Sequence, residues 1–187
     1  MDKNKPSAPQ KKPPKKISER YLYNAGLAYL QRFPASTHHF KAVMARKIDR
    51  SCRFHKDQAP EPCAEMLEKT VLKFQELGLL DDTAYLRGMV TSLRRRGLSS
   101  RAIAARLQQK GLAATDIANA VRTYDIEEYD GRNGEMEAAL ILARKKGIGP
   151  FRRKEKEPDI QKEMAALARA GYSYDIVQKI VGTDDDV

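Results

Sequence analysis

The sequence predicts an all-α protein made of three tandem three-helix repeats that form an elongated curved array. Ala, Leu, Arg, Lys and Glu dominate its 187 residues, aromatics supply only 7%, Trp is absent and β-branched runs are scarce, a balance that favours helices over strands. Apolar residues also recur at helical spacing between start and stop signals all along the chain. Finally, segments match one another: Tyr29-Leu30 precedes Tyr85-Leu86 by 56 residues, RRRG ending at Gly97 precedes RKKG ending at Gly147 by 50, and LQQKG at 107–111 precedes LARAG at 167–171 by 60. A helical triplet leaves an apolar face unfilled until a neighbour covers it, so stacked copies follow.

In chain order, MDKNKPSAPQKKPPKK has too little apolar surface to offset its ordering entropy and is expected to be disordered through about Lys16. Ser18 can cap a first helix with Leu22, Ala25, Tyr29 and Leu30 on one side, stopped before Pro34. Ser36 can cap a second, with Phe40, Val43 and Met44 inward, before the pattern lapses into a loop from Arg50 to Pro62. A third runs from about Pro62 or Cys63 to Leu77, with Leu67, Val71, Phe74 and Leu77 in register and Gly78 after it.

The stretch from Leu80 to Gly111 is the best punctuated. Asp81 caps a helix with Tyr85, Leu86, Met89, Val90 and Leu93 inward that stops at Gly97; Ser99 or Ser100 caps the next, with Ile103, Ala104 and Leu107 inward, stopped at Gly111. Thr115 then opens a helix with Ile117, Ala120, Val121 and Tyr124 inward. After a break at Gly131 to Gly134, Met136, Ala139, Leu140 and Ala143 form a stripe ending at Gly147. A charged loop from Ile148 to Pro158 leads through Asp159 to a helix with Ile160, Met164 and Leu167, and Ser173 caps the last, with Ile176, Val177 and Ile180 inward. The expected division is a basic tail at 1–16, repeats at 17–78, 79–130 and 131–181, and an acidic tail at 182–187.

A formal charge of +10 points to an anionic partner such as nucleic acid or a nucleoprotein. Residues 1–20 hold seven basic and two acidic side chains, so half of that excess sits in the first twenty residues. Within the predicted helices, Arg94, Arg95 and Arg96, and likewise Arg144, Lys145 and Lys146, occupy a last turn, where cations offset the helix dipole. Three consecutive residues fan across the helix, so at most two of each three can face one surface. Arg106 and Lys110 are four apart and share a face, with Arg101 near the same helix's start. A functional strip of Arg94, Arg95, Arg101, Arg106 and Lys110 and ordinary solvated faces fit these spacings equally well.

Catalytic chemistry has no constellation to rest on, so no enzyme and no cofactor are expected. The glycines stand singly at helix ends, where C-capping explains them, and form no phosphate loop. Cys52, His55 and Cys63 lack the CxxC-type spacing of a zinc site, His38 and His39 diverge on a helix, and Asp81 and Asp82 read as cap and first-turn carboxylate. Tyr21 and Tyr23 could stack on bases or fill a partner's pocket, whereas Tyr85 falls at a core position and Tyr172 and Tyr174 line the last inter-helix turn. Two cysteines make no disulfide framework, no apolar run approaches a membrane span, and no apolar segment follows the N-terminal lysines, so a cytoplasmic monomer is expected.

LLDDTAY, RRRGLSSRAIAARLQQKG and LARAGYSYDIVQKIV, with AYLQRF followed by FKAVMARK in the first unit, give the chain its family likeness. Over about residues 17 to 181 it resembles the RecX family of regulatory proteins, especially its alphaproteobacterial branch. The resemblance implies three tandem three-helix repeats that bind the RecA filament on single-stranded DNA along its groove. It also implies restraint of the filament's ATP hydrolysis, strand exchange and co-protease activity in DNA repair and the SOS response. The contact set expected on that basis is Arg94, Arg95, Arg96, Arg101, Arg106, Lys110, Arg144, Lys145 and Lys146, with weak direct DNA binding through basic surfaces as the alternative role.

Overall fold

The computed structural model describes residues 13–130, 132–152 and 159–182. The basic tail through residue 12, the centre of the charged loop and the acidic residues from 183 onward lie outside them. Among the described residues there are nine α-helices, one 3-10 turn and no strand. Helix α1 covers Glu19–Leu30, α2 Thr37–Phe54, α3 Pro60–Glu76, α4 Asp82–Arg95, α5 Ser100–Gln108, α6 Ala114–Tyr129, α7 Gly134–Lys146, α8 Ile160–Arg169 and α9 Tyr174–Val181. The 3-10 turn is Gly149–Phe151, inside the stretch predicted as loop. No helix among the described residues is long and apolar enough to cross a membrane. Residues up to Pro34 with His39–Leu80 form one compact unit, and Ala35–His38 with the residues from Asp81 onward form another.

In the first unit, Leu22, Phe40, Met44, Ile48, Leu67, Val71 and Phe74 are buried where helical spacing put them or one turn further. Gly26 brings α1 close to two rings: a Cβ there would lie 2.8 Å from atoms of both Phe40 and Phe74. Two expectations fail here, for one reason. α2 continues to Phe54 past the predicted stop at Arg50, and residues 14–17 are tied down. Ser51, on the buried side of α2, donates to the Lys15 carbonyl at 2.9 Å, and the Gln58 amide bonds both the N–H and the carbonyl of Ile17 at 2.9 Å. Polar residues thus fill an inward face that an apolar pattern does not reveal. Leu77, expected inside, lies past the end of α3 and is exposed.

In the second unit, α4, α5 and α6 bury Leu86, Val90, Leu93, Ile103, Leu107, Ile117 and Val121 together. Helices α7, α8 and α9 bury Ala138, Ala139, Ala143, Leu167, Ile176, Val177 and Ile180. Ser18, Asp81, Ser99, Asn133 and Asp159 cap their helices through their side chains, whereas Ser173 stands at the cap position without a side-chain cap bond. Ile160, at the first position of α8, is partly exposed instead of buried.

The two triplets of this unit meet at Gly97. Its φ of +76° suits a residue without Cβ, and a Cβ there would lie 2.8 Å from the Leu142 backbone nitrogen and 2.9 Å from the Ala138 carbonyl oxygen. Around it, the buried Tyr172 hydroxyl donates to the Gly97 carbonyl at 2.9 Å, and the Ser99 hydroxyl donates to the Ala170 carbonyl at 2.7 Å. The same arrangement recurs at residues 35–38: Ser36 donates to the Lys110 carbonyl, and the His38 ring lies over Gly111 as Arg101 lies over Gly171.

Gly97→Ala is expected to destabilise the protein by about 2–4 kcal/mol, through left-handed strain and a clash with backbone that cannot give way. Gly88→Ala, on the exposed face of α4 with nothing within 4 Å, is expected instead to stabilise it by about 0.5–1 kcal/mol. Urea unfolding followed by helical circular dichroism measures both; equal effects of one sign would contradict the packing assigned to Gly97.

Candidate interaction surface

Of the nine cations singled out in the sequence, Arg94 is not on the surface. Its side chain has no exposed area, and all five of its N–H groups find acceptors. Nε and Nη2 donate to the two carboxylate oxygens of Asp125 on α6 at 3.0 and 2.6 Å, a bidentate pair. Nη1 donates to the Leu98 carbonyl and to Glu135 Oε2 on α7, each at 2.9 Å, and Nη2 also reaches Ser100 Oγ at 2.8 Å. Burial alone would push the guanidinium pKa down, but the two carboxylates outweigh it and hold it above the ordinary value, so the group stays charged. The spacing of the cations predicts Arg94 in a basic strip facing a partner; beside Leu93 and one turn after Val90, it lies instead on the buried side of α4. What the sequence did not signal were the partners, 31 and 41 residues away.

Arg95 and Arg96 are exposed at the end of α4, as fanning of consecutive residues requires. Lys145 Nζ donates to the Arg96 carbonyl at 3.0 Å, which brings the last turns of α4 and α7 together, with Arg144 and Lys146 exposed beside it in sequence. Arg144 is not wholly at liberty, since its guanidinium carbon stands 4.9 Å from the Phe151 ring centroid. Arg101 and Arg106 are exposed on α5. Lys110 lies past the end of that helix and is half-buried, so the face it was expected to share with Arg106 does not extend to it as regular helix. Arg95 also borders a cleft of about 490 Å³ between α4 and α6, where Arg87 joins it and Asp82, Asp116, Glu127 and Glu128 supply opposing charge. The freest cations of this set are therefore Arg96, Arg101, Arg106 and Lys146.

The tyrosines separate clearly. Tyr172 is buried, and burial pushes its hydroxyl pKa far up, so it serves as a fixed donor to Gly97. Tyr174 is exposed and accepts from the Gln178 amide at 2.9 Å. Tyr85 is half-buried against the α4–α6 core. Tyr23 packs edge-on to Phe74 with centroids 5.1 Å apart, its ring carrying the Lys73 ammonium. His55 bonds the Pro14 carbonyl at 2.8 Å, and among the described residues no three His, Cys, Asp or Glu side chains converge as a metal cage.

Residues 81–121 match the family model described as RecX, second three-helix domain. The chain is 39% identical to the regulatory protein RecX of Myxococcus xanthus over 187 residues, covering 98% of this chain and 95% of that one. It is 39% identical over 105 residues to the regulatory protein RecX of Agrobacterium fabrum, covering 54% of this chain and 51% of that one. Among solved structures, that of RecX from Lactobacillus salivarius superposes with a TM-score of 0.60 at 21% identity, over 88% of this chain and 94% of that chain. That likeness concerns the fold.

Arg94→Ala is expected to cost about 3–5 kcal/mol, because it strands Asp125 and Glu135 without their counter-charge. Arg96→Ala, at an exposed cap position, is expected to change stability by no more than about 0.5 kcal/mol. Chemical denaturation of the two variants side by side checks the contrast, and similar small losses in both would remove the structural role given to Arg94.

Proposed function

The chain belongs to the RecX family of regulatory proteins, and on that basis we propose that it docks on the RecA filament assembled on single-stranded DNA and restrains it. The restrained activities are recombinase, ATPase and co-protease action, in DNA repair and the SOS response. Kinship to a regulatory protein RecX along nearly the whole chain is the observation that carries this reading. The protein acts as a cytoplasmic monomer without catalysis of its own. Residues 17–78, 79–130 and 131–181 serve as three repeats of an array whose weak contacts add along a polymeric partner.

Arg95, Arg96, Arg101, Arg106, Arg144, Lys145 and Lys146 are the side chains assigned to that partner, with Lys110 at the margin. Their exposure in the second unit supports the assignment. Arg94 drops out of the contact set, because an arginine committed to two carboxylates inside the fold has no donor left to offer.

Saturating protein is expected to lower RecA's DNA-dependent ATPase and its assistance of repressor cleavage severalfold. Unchanged rates would sink the proposal. An Arg96→Glu/Arg101→Glu/Arg106→Glu variant with wild-type helicity is expected to bind the filament at least tenfold more weakly, about 1.4 kcal/mol. Wild-type filament affinity in that variant would reject the surface while leaving the family role intact.

A further inference from the structure

Cys52 near the end of α2 and Cys63 one turn into α3 both belong to the first unit, and neither is among the residues assigned to the filament. We propose that these two thiols form a redox-modification site, which a low-molecular-weight disulfide oxidises to an intramolecular disulfide. Their spacing in the sequence fits no zinc motif and gives no reason to pair them. The fold supplies one: α2 and α3 turn the two side chains toward one another, within hydrogen-bond distance. The chain has two cysteines, so each finds in the other its one intramolecular partner.

Their surroundings give the two sulfurs different parts. Cys63 is 2% exposed, whereas Cys52 is half-buried and reaches solvent. Burial, and after it the neighbouring Cys52, push the Cys63 thiol pKa up, so Cys63 stays protonated while Cys52 meets the reagent. The loop that joins the two helices is anchored: the Gln58 amide bonds both the N–H and the carbonyl of Ile17, and Ser51, beside Cys52, bonds the Lys15 carbonyl. These contacts keep the cysteines within each other's reach. Among the described residues they are not part of a three-ligand metal cage, so a dithiol is the chemistry that this corner of the fold offers.

The Cys52 thiolate attacks one sulfur of the reagent: its S–S bond breaks, a mixed disulfide forms on Cys52, and the departing thiolate takes up a proton. Cys63 then gives its proton to solvent and attacks Cys52 Sγ, which forms the Cys52–Cys63 bond and expels the second thiolate. Two protein thiols are thereby oxidised and one disulfide is reduced to two thiols. Because the resolving thiol already faces Cys52, the second step is intramolecular and outruns accumulation of the mixed disulfide. In a reducing compartment such a bond is a transient mark and not a permanent staple. It ties the end of α2 to the start of α3, beside the docked residues 14–17.

The test is intact-mass analysis of the native, reduced full chain after incubation with glutathione disulfide, with the remaining thiols trapped by alkylation. Wild type is expected to lose the mass of two hydrogens and both alkylation sites while staying a single chain, and dithiothreitol is expected to restore both thiols. Cys63→Ala, with unchanged helicity, is expected to stop at a glutathione adduct on Cys52. Cys52→Ser is expected to react about tenfold or more slowly than wild type, because the thiol it leaves is buried. A glutathione adduct that persists in wild type, covalent dimers in place of the intramolecular bond, or Cys52→Ser reacting as fast as wild type would each overturn the site. So would a native wild-type chain that stays reduced under conditions where the urea-unfolded chain reacts. RecA is absent from these assays, so this site and the filament reading fail independently.

Discussion

The second unit depends on a buried arginine. Removing a guanidinium from water costs several kcal/mol, and Arg94 is tolerated only because two carboxylates and two neutral acceptors occupy all of its donors. Those acceptors come from α6, from the α4–α5 connection, from the first turn of α5 and from α7. One side chain thus fixes the exit of α4, the start of α5 and the approach of the next triplet. Glu135 does double duty, accepting also from the Ser100 backbone N–H and hydroxyl, so the α5 N-terminus is held partly by a residue of the following triplet.

Around that centre a shorter device repeats. A serine at the start of a triplet's middle helix donates to the carbonyl just before a left-handed glycine in the next triplet, and the side chain two residues on covers that glycine. Ser99 shows why one residue suffices, since its hydroxyl accepts from the Ala102 N–H as a cap and donates to Ala170 as a joint. The last triplet has Gly149 where the middle one has Ser99. There Glu163 takes the Gly149 N–H and the Arg152 guanidinium, and Arg152 reaches on to the Val181 carbonyl, closing the triplet upon itself. Burial pushes the Glu163 carboxyl up, but Arg152 and the Gly149 N–H outweigh it and hold it below the usual range.

These commitments sort the basic residues by what they have left to give. Arg94 and Arg152 are consumed by the fold, Lys145 and Arg144 partly so, whereas Arg96, Arg101 and Arg106 end in solvent. The count of 35 basic residues therefore overstates the cations left for a partner, and the α4–α6 cleft sets four carboxylates against two arginines.

The sequence by itself determined the helices and their order. Caps such as Asp81 and Ser99, stops such as Gly97 and Gly111, and apolar residues at 3.6 spacing act within a turn or two, so they are legible in a linear string. It also determined which apolar stripe of α4 turns inward, but it left Arg94 among the cations expected on the surface. Only the tertiary structure decided what that arginine does, because Asp125 and Glu135 reach it from 31 and 41 residues away and no local rule links them. The same holds for the continuation of α2 past Arg50 on polar contacts and for the docking of residues 14–17. Each rests on side chains from distant segments, whose pairing is set by packing and not by spacing.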